Sequence, residues 1–211
     1  MRGFVLLLLF IGLALGAGAG LYLFWQYDWR WRPKTLEKDQ AEIGKTLDQA
    51  GWVSPHLTGP KLYLVVTRGC ADCGRFEAAE FPKLQTAEVD TRVIVVAEPD
   101  VNGQTRSTPA ERATVAELWT NRSWKLFQQW QAGAPEAWTA PGVAPADGDA
   151  ARTAVVGAGA ALVDKLTTEL KDNGVGFAYP TLIWWTKDGR LRGCVCNDPR
   201  SWRYVEQELG A

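Results

Sequence analysis

The feature that most constrains the fold is a buried strand that leads directly into a helix beginning at two cysteines. Lys61–Phe76 contains the β-branched strand, a tight exit at Arg68 and Gly69, and then Cys70 and Cys73. One helical turn brings the two sulfurs to disulfide distance. Free N–H groups and the helix dipole favour the thiolate at Cys70, and the thiolate is the attacking species in disulfide exchange. The pattern predicts Cys70 as the nucleophile and Cys73 as the resolving thiol.

Composition narrows the class of protein. The 211 residues suit one domain with an attachment, and 23 basic against 24 acidic residues leave a net charge of -1. Because no long basic run is present, we expect no nucleic-acid partner. Four cysteines in a chain of this length do not indicate a disulfide-stapled miniprotein.

The N-terminal segment predicts a membrane anchor. Gly3–Trp25 is 23 residues without a charge, enough to span a bilayer core of about 30 Å. The small residues Ala17–Ala19 also fit a signal-peptide cleavage site, but the apolar run continues beyond them. We therefore interpret residues 3–25 as an uncleaved transmembrane helix, with a removed signal peptide as the alternative. Aromatic residues follow where the segment would leave the lipid: Trp25, Tyr27, Trp29 and Trp31.

Two signals in the sequence disagree about the side of the membrane on which the C-terminal domain lies. Arg30, Arg32 and Lys34 follow the segment and only Arg2 precedes it, so charge counting places the C-terminal side in the cytoplasm. A redox-active dithiol behind a signal-like N-terminus favours an exported domain instead. We expect a single-pass protein of the bacterial inner membrane with its soluble domain in the periplasm.

The rest of the chain alternates helices and strands. We divide it into residues 1–33, the anchor and juxtamembrane segment; 34–60, a helix and connector; and 61–211, an α/β domain with a helical insertion at about 108–172. Strand, helix and strand in succession predict that the first two strands of this domain are parallel. The sequence predicts four helices, a second strand and a loop. The helices are Thr35–Ala50, one from Cys70 that Pro82 kinks or ends, Thr108–Ala132 and Gly157–Asp172; the strand is Thr91–Ala97 and the loop is Gly133–Asp149.

The C-terminal part of the chain, from Tyr179 to Leu209, has a recognisable order of secondary-structure elements. Tyr179-Pro180-Thr181 precedes the apolar strand Leu182–Trp185, and the pair Asp188-Gly189 is a hairpin signal. The return strand Leu191–Cys196 is followed by Asp198-Pro199, which begins a final helix that runs through Leu209.

This order resembles the thioredoxin fold and, within it, the exported Dsb-type thiol-disulfide oxidoreductases, over roughly Leu62–Leu209. The resemblance implies a thioredoxin-like α/β fold with an inserted helical subdomain. Cys70 and Cys73 stand at the active dithiol of that family, and Tyr179, Pro180 and Thr181 stand at its cis-proline loop, which shapes the substrate groove. Thioredoxins carry a buried acid six positions before the first cysteine, where this chain has Leu64. Glu77, on the same helix as the dithiol, could reach the area of this missing acid, but we expect it to be a solvated surface residue.

Cys194 and Cys196 lie on the return strand with both side chains on one face. Three interpretations remain open: two small buried residues, a second redox pair that is structural or relays electrons, or a metal site shared with Cys70 and Cys73. The single histidine, His56, is expected to be a surface residue.

The sequence thus predicts a membrane-anchored, extracytoplasmic thiol-disulfide oxidoreductase that acts through Cys70 and Cys73. We expect protein clients with thiols or disulfides, a membrane redox partner, no organic cofactor, no metal and a monomeric chain. The alternative is a non-catalytic thioredoxin-like module that binds, scaffolds or holds metal in the cell envelope.

Overall fold

A computed structural model describes residues 2–211, with side chains from residue 10 onward. The chain divides into two compact units, Met1–Arg32 and Pro33–Ala211. The helices are α1 (Arg2–Tyr27), α2 (Gln40–Gln49), α3 (Ala71–Thr86), α4 (Pro109–Asn121), α5 (Trp124–Ala132), α6 (Ala150–Asp172) and α7 (Pro199–Leu209). The strands are β1 (Lys34–Thr35), β2 (Lys61–Val66), β3 (Asp90–Val95), β4 (Thr181–Trp185) and β5 (Leu191–Val195).

The first unit is the apolar helix α1 followed by a short 3-10 turn at Trp29–Trp31. The segment Phe10–Trp31 is long and apolar enough to cross a membrane, a test that signal sequences also pass. At its end the Arg30 guanidinium lies 4.4 Å from the Trp31 ring centroid and 5.2 Å from that of Trp25. Such pairs of aromatic and basic residues are typical of a membrane–water boundary.

The second unit is built on a five-stranded mixed sheet in the order β1-β5-β4-β2-β3. Strands β2 and β3 are parallel, as the strand–helix–strand pattern predicts, with α3 as their connection. The remaining neighbours are antiparallel. The β4–β5 hairpin turns at Asp188-Gly189, where Gly189 has a φ of 79°, a conformation that glycine adopts without steric cost.

Each face of the sheet is covered by a separate layer of helices. Alternation along β2 sends Leu62, Leu64 and Val66 towards α3 and α7, whereas Tyr63 and Val65 face α2 and α6. The two resulting apolar clusters make a three-layer α/β/α domain, in which strands buried on both sides read as continuous apolar runs.

The predicted starts of two helices are wrong. Helix α6 begins at Ala150 rather than at Gly157, because the Asp149 carboxylate caps it by accepting from the Ala151 and Arg152 N–H groups. The helix expected from Thr35 begins only at Gln40, because Lys34 and Thr35 pair with β5 as the short strand β1.

Of the two alternatives for Pro82, a kink or an end of the helix, the end is excluded: α3 continues to Thr86, since its inward-facing Phe76 and Leu84 are anchored in the core on both sides of the proline. A proline removes one backbone hydrogen bond, a loss that tertiary packing can offset.

The insertion holds three helices rather than the two expected. The predicted helix Thr108–Ala132 is broken at Arg122, which has a left-handed φ of 51°, and Ser123 then caps α5 through the Leu126 N–H. Thr108 and Glu111 form a capping box at the start of α4. The insertion is attached to the sheet by the Trp119 indole, which donates to the Val95 carbonyl at 2.8 Å.

Candidate active site

The two early cysteines lie where β2 passes into α3, and the structure joins them in a disulfide with Cα atoms 5.2 Å apart. Cys70 is the N-cap of α3, and its sulfur accepts a hydrogen bond of 3.0 Å from the Cys73 N–H. Cys70 is half-buried, whereas Cys73 is only 2% exposed. Solvent and other proteins can therefore reach the first sulfur, while the second lies in the core behind it.

The proline loop lies at the same end of the sheet as this disulfide. Thr181 pairs with Val65 near the end of β2, so the residues just before Thr181 lie level with the segment that leads into Cys70. The Tyr179–Pro180 bond is cis, as the resemblance implies. Thr181 is fully buried and its hydroxyl donates to the Ala178 carbonyl at 2.6 Å.

Tyr179 is half-buried between this loop and the core. Its ring packs edge-on against Phe177, with centroids 5.4 Å apart. Burial raises the pKa of Tyr179 to about 12, so the hydroxyl stays neutral near physiological pH. Of the three residues of the loop, Tyr179 alone is partly exposed, since Pro180 and Thr181 are buried.

The insertion holds both flanks of the dithiol through the end of α5. Arg68, two residues before Cys70, donates to the Trp130 carbonyl at 2.7 Å and also bonds the Gln131 side chain and the Gly133 carbonyl. Gln131 in turn donates to Glu77 at 2.8 Å, one helical turn after Cys73. One end of α5 thus fixes the chain before and after the two cysteines.

Glu77 is not the solvated residue that the sequence predicts. One of its carboxyl oxygens is buried with no hydrogen-bond partner among the described residues. Burial raises the pKa of Glu77 to about 8, although the Arg68 guanidinium partly opposes this. Leu64, at the position of the thioredoxin acid, is buried in the apolar core. Burial raises the pKa of two carboxyls of α3: Glu80 is paired with Lys83, whereas Glu77 lies one turn after Cys73.

Helix α3 and helix α5 also border an open cavity of about 540 Å³ beside the dithiol. Its lining is largely apolar and aromatic, with Glu77 and Arg68 at one side. Neither cysteine lines it. The aromatic residues in the lining are Phe81, Trp124 and Phe127.

The structure pairs Cys194 and Cys196 in a second disulfide at the end of β5, with Cα atoms 5.3 Å apart. The Cys196 N–H donates to the Pro180 carbonyl at 3.1 Å, and the Trp202 indole donates to the Cys196 carbonyl at 2.8 Å. Among residues 10–211 no group of three or more His, Cys, Asp or Glu side chains is arranged to hold a metal ion. His56 lies in a loop, edge-on to Trp52.

The fold matches a known structure across almost its whole length. The crystal structure of Proteus mirabilis ScsC in a compact conformation superposes with a TM-score of 0.50 and 15% identity, over 98% of this chain and 95% of that one. No family model matches the sequence, and no curated protein matches it either. The chain therefore has a thioredoxin-like α/β fold, as the motif order predicts. At this identity the likeness establishes the fold, and the chemistry is argued from the residues of this chain.

Proposed function

We propose that the protein is a membrane-anchored, extracytoplasmic thiol-disulfide oxidoreductase that exchanges disulfides with client proteins. One observation carries the proposal: a half-exposed sulfur caps α3 and is disulfide-bonded to a buried sulfur one turn further on. This arrangement presents a single point of attack, Cys70, and keeps the resolving thiol, Cys73, away from outside reagents.

The exchange follows from these two positions. A client thiolate attacks the Cys70 sulfur, which forms a client–Cys70 disulfide and releases Cys73 as a thiolate. A second client thiolate then closes the client disulfide and releases Cys70. In the opposite direction the Cys70 thiolate opens a client disulfide, and Cys73 resolves the mixed disulfide. The Cys73 N–H, 3.0 Å from the Cys70 sulfur, and the start of α3 stabilise the Cys70 thiolate in both directions.

Client recognition is assigned to the proline loop. Ala178 is exposed and Tyr179 half-exposed at the end of the sheet that also carries Cys70. An extended client segment can lie along the backbone here, in the manner of an added strand, while Pro180 offers no N–H to compete for the sulfurs. Thr181, which is buried, holds the loop from behind through its bond to Ala178.

We assign the cellular location of this disulfide exchange from the N-terminal unit. The apolar segment anchors the chain in a bacterial inner membrane, and the α/β domain works in the periplasm, where a membrane redox partner exchanges electrons with the dithiol. The exchange needs no organic cofactor, because the sulfurs carry the electrons. A phosphatase reporter, active only outside the cytoplasm, fused after Ala211 tests the location, and an inactive fusion overturns it.

Trapping of clients tests the activity itself. The Cys73→Ala variant retains the attacking thiol but has no resolving thiol, so we expect it to accumulate mixed disulfides with clients that disappear on reduction. The Cys70→Ala variant is the matched control, and we expect no adducts from it. Equal adduct formation by both variants, or none by Cys73→Ala, would overturn the proposal and favour a module that binds without turnover.

A further inference from the structure

The two disulfides lie at one end of the sheet. Thr181 pairs with Val65 of β2 on one side and with Val195 of β5 on the other, so the ends of β2 and β5 are level. Cys70 follows the first of these ends by a short loop, and Cys194 and Cys196 flank Val195 at the second. A side chain from α3 crosses between them, since the Arg75 guanidinium lies 3.4 Å from the Asn197 carbonyl.

The second disulfide also faces the same layer of the molecule as the first. Cys73, Cys194 and Cys196 belong to one apolar cluster between the sheet and helices α3 and α7. Phe76 of α3 and Trp202 of α7 stack edge to face inside that cluster, with ring centroids 5.5 Å apart. The second pair of sulfurs and Cys73 are therefore buried in one apolar cluster, against which Cys70 also packs.

The two cysteine pairs differ in how far other proteins can reach their sulfurs. Cys196 is 0% exposed and Cys194 is 8% exposed, so a client protein has no path to either sulfur. Cys73 is buried in the same cluster, and it becomes a free thiol when a reductant opens the bond at Cys70. The thiol produced by the first exchange is thus buried in the same cluster as the second disulfide.

We propose that the Cys194–Cys196 disulfide is an internal electron acceptor for the Cys70–Cys73 dithiol. The Cys73 thiolate attacks one sulfur of the second pair, which forms a Cys73 mixed disulfide and releases the other sulfur as a thiolate. The Cys70 thiolate then attacks Cys73, which restores the Cys70–Cys73 bond and releases the second thiolate. Two electrons and two protons pass to Cys194 and Cys196, and the oxidised chain can accept four electrons in total.

The physiological use of this relay rests on the proposed function, but the transfer can be tested without clients. The oxidised full chain in detergent micelles receives one equivalent of dithiothreitol, is acid-quenched and alkylated at intervals, and is analysed by peptide mass spectrometry. We expect thiols first at Cys70 and Cys73 and then at Cys194 and Cys196, at a rate independent of protein concentration. Lys187→Ala, an exposed change in the β4–β5 turn, should behave like the parent chain.

A double variant tests the route. In Cys70→Ser/Cys73→Ser the relay has no first carrier, so we expect native-state reduction of Cys194–Cys196 to slow by about ten-fold or more. In concentrated guanidinium chloride both chains should be reduced equally. Thiols that remain at Cys70 and Cys73 in the parent chain, or equal native rates in parent and variant, would overturn the relay.

Failure of the relay and failure of the proposed function give different results. In one outcome, clients form no adducts with Cys73→Ala while dithiothreitol still produces thiols first at Cys70 and Cys73 and then at Cys194 and Cys196. That result would support the relay and contradict the proposed exchange with clients. If the double variant does not fold, the concentration dependence of the transfer in the parent chain decides alone, because an exchange between molecules would accelerate with concentration.

Discussion

The two cysteine pairs of this chain share a sheet end and differ in depth. Cys70 caps a helix and is half-exposed, whereas Cys194 and Cys196 lie at the end of a strand and are buried, and the Cys196 backbone bonds to Trp202 and Pro180. Both are disulfides, so the presence of the bond does not distinguish them. The position of a cysteine pair therefore decides its chemistry: a sulfur at an open helix tip can meet another protein, and a sulfur in the core can meet only its neighbours.

The largest effect that this comparison predicts is on catalysis. Cys70→Ser removes the one sulfur that outside thiols can reach, so we expect insulin reduction by the chain to fall on the order of a thousand-fold. Lys187→Ala, exposed at the opposite end of β4, should leave the rate unchanged. Retention of more than a tenth of the activity would mean that another sulfur is open to clients, and the contrast in depth would fail.

The second largest effect is on stability. Trp202 is 7% exposed, stacks on Phe76 and bonds the Cys196 carbonyl, so Trp202→Ala should cost about 3–5 kcal/mol in the free energy of unfolding. Urea unfolding followed by circular dichroism measures this loss. Gln207→Ala, exposed on the same helix, should change stability by less than about 0.5 kcal/mol. A loss below about 1 kcal/mol at Trp202 would show that the layer over the second disulfide is loosely packed.

Local signals were sufficient for much of the fold. The strand into Cys70, the hairpin at Asp188-Gly189 and the capped helix α7 each depend on residues within a few positions of one another, and each is present. The break between α4 and α5 was missed because apolar residues continue through it and Arg122, rather than a glycine, adopts the left-handed conformation. The strand β1 was missed because its partner, β5, lies far away in the sequence.

Some features of the candidate site also follow from local sequence, whereas others depend on residues far away in the chain. The cysteine positions followed from spacing, but the burial of Glu77 depends on Gln131, which is contributed by the insertion more than fifty positions later. The one local signal for the burial of Glu77 is that it lies a single turn after Cys73 on the helix that bears the dithiol. The pairing of Cys194 with Cys196 was one of three open interpretations, since strand alternation puts them on one face but does not decide their chemistry.

The buried carboxyl of Glu77, on the helix of the first pair, should make the stability of the folded chain depend on pH. The pKa is raised in the folded chain to about 8, so the folded state favours the protonated carboxyl and stability falls as the pH rises from about 5 to 8. Each pKa difference of one corresponds to about 1.4 kcal/mol. We expect the thermal midpoint of the parent chain to drop over this range, and the drop to be clearly smaller in Glu77→Gln.

Glu37→Gln, an exposed change, is the control for this pH experiment and should keep the full slope of the parent chain. An identical slope in Glu77→Gln would mean that the carboxyl is ionised in the folded state. The bond from Gln131 would then be a surface contact, and the end of α5 would not seal the flank of the dithiol.

The smallest expected effect concerns the helix caps beside the two pairs. Cys70 caps α3 with a sulfur that changes chemical state during exchange, whereas Asp198, two residues after Cys196, caps α7 with a carboxylate that accepts from the Arg200 N–H at 2.9 Å. Asp198→Ala should cost about 1 kcal/mol of stability in urea unfolding. Asp198→Asn keeps an oxygen for the cap and loses the ion pair with the Arg200 guanidinium, so its cost should be under half as large. Equal losses in the two variants would mean that charge rather than capping holds the start of α7, and that the helix behind the buried pair depends on electrostatics that salt can screen.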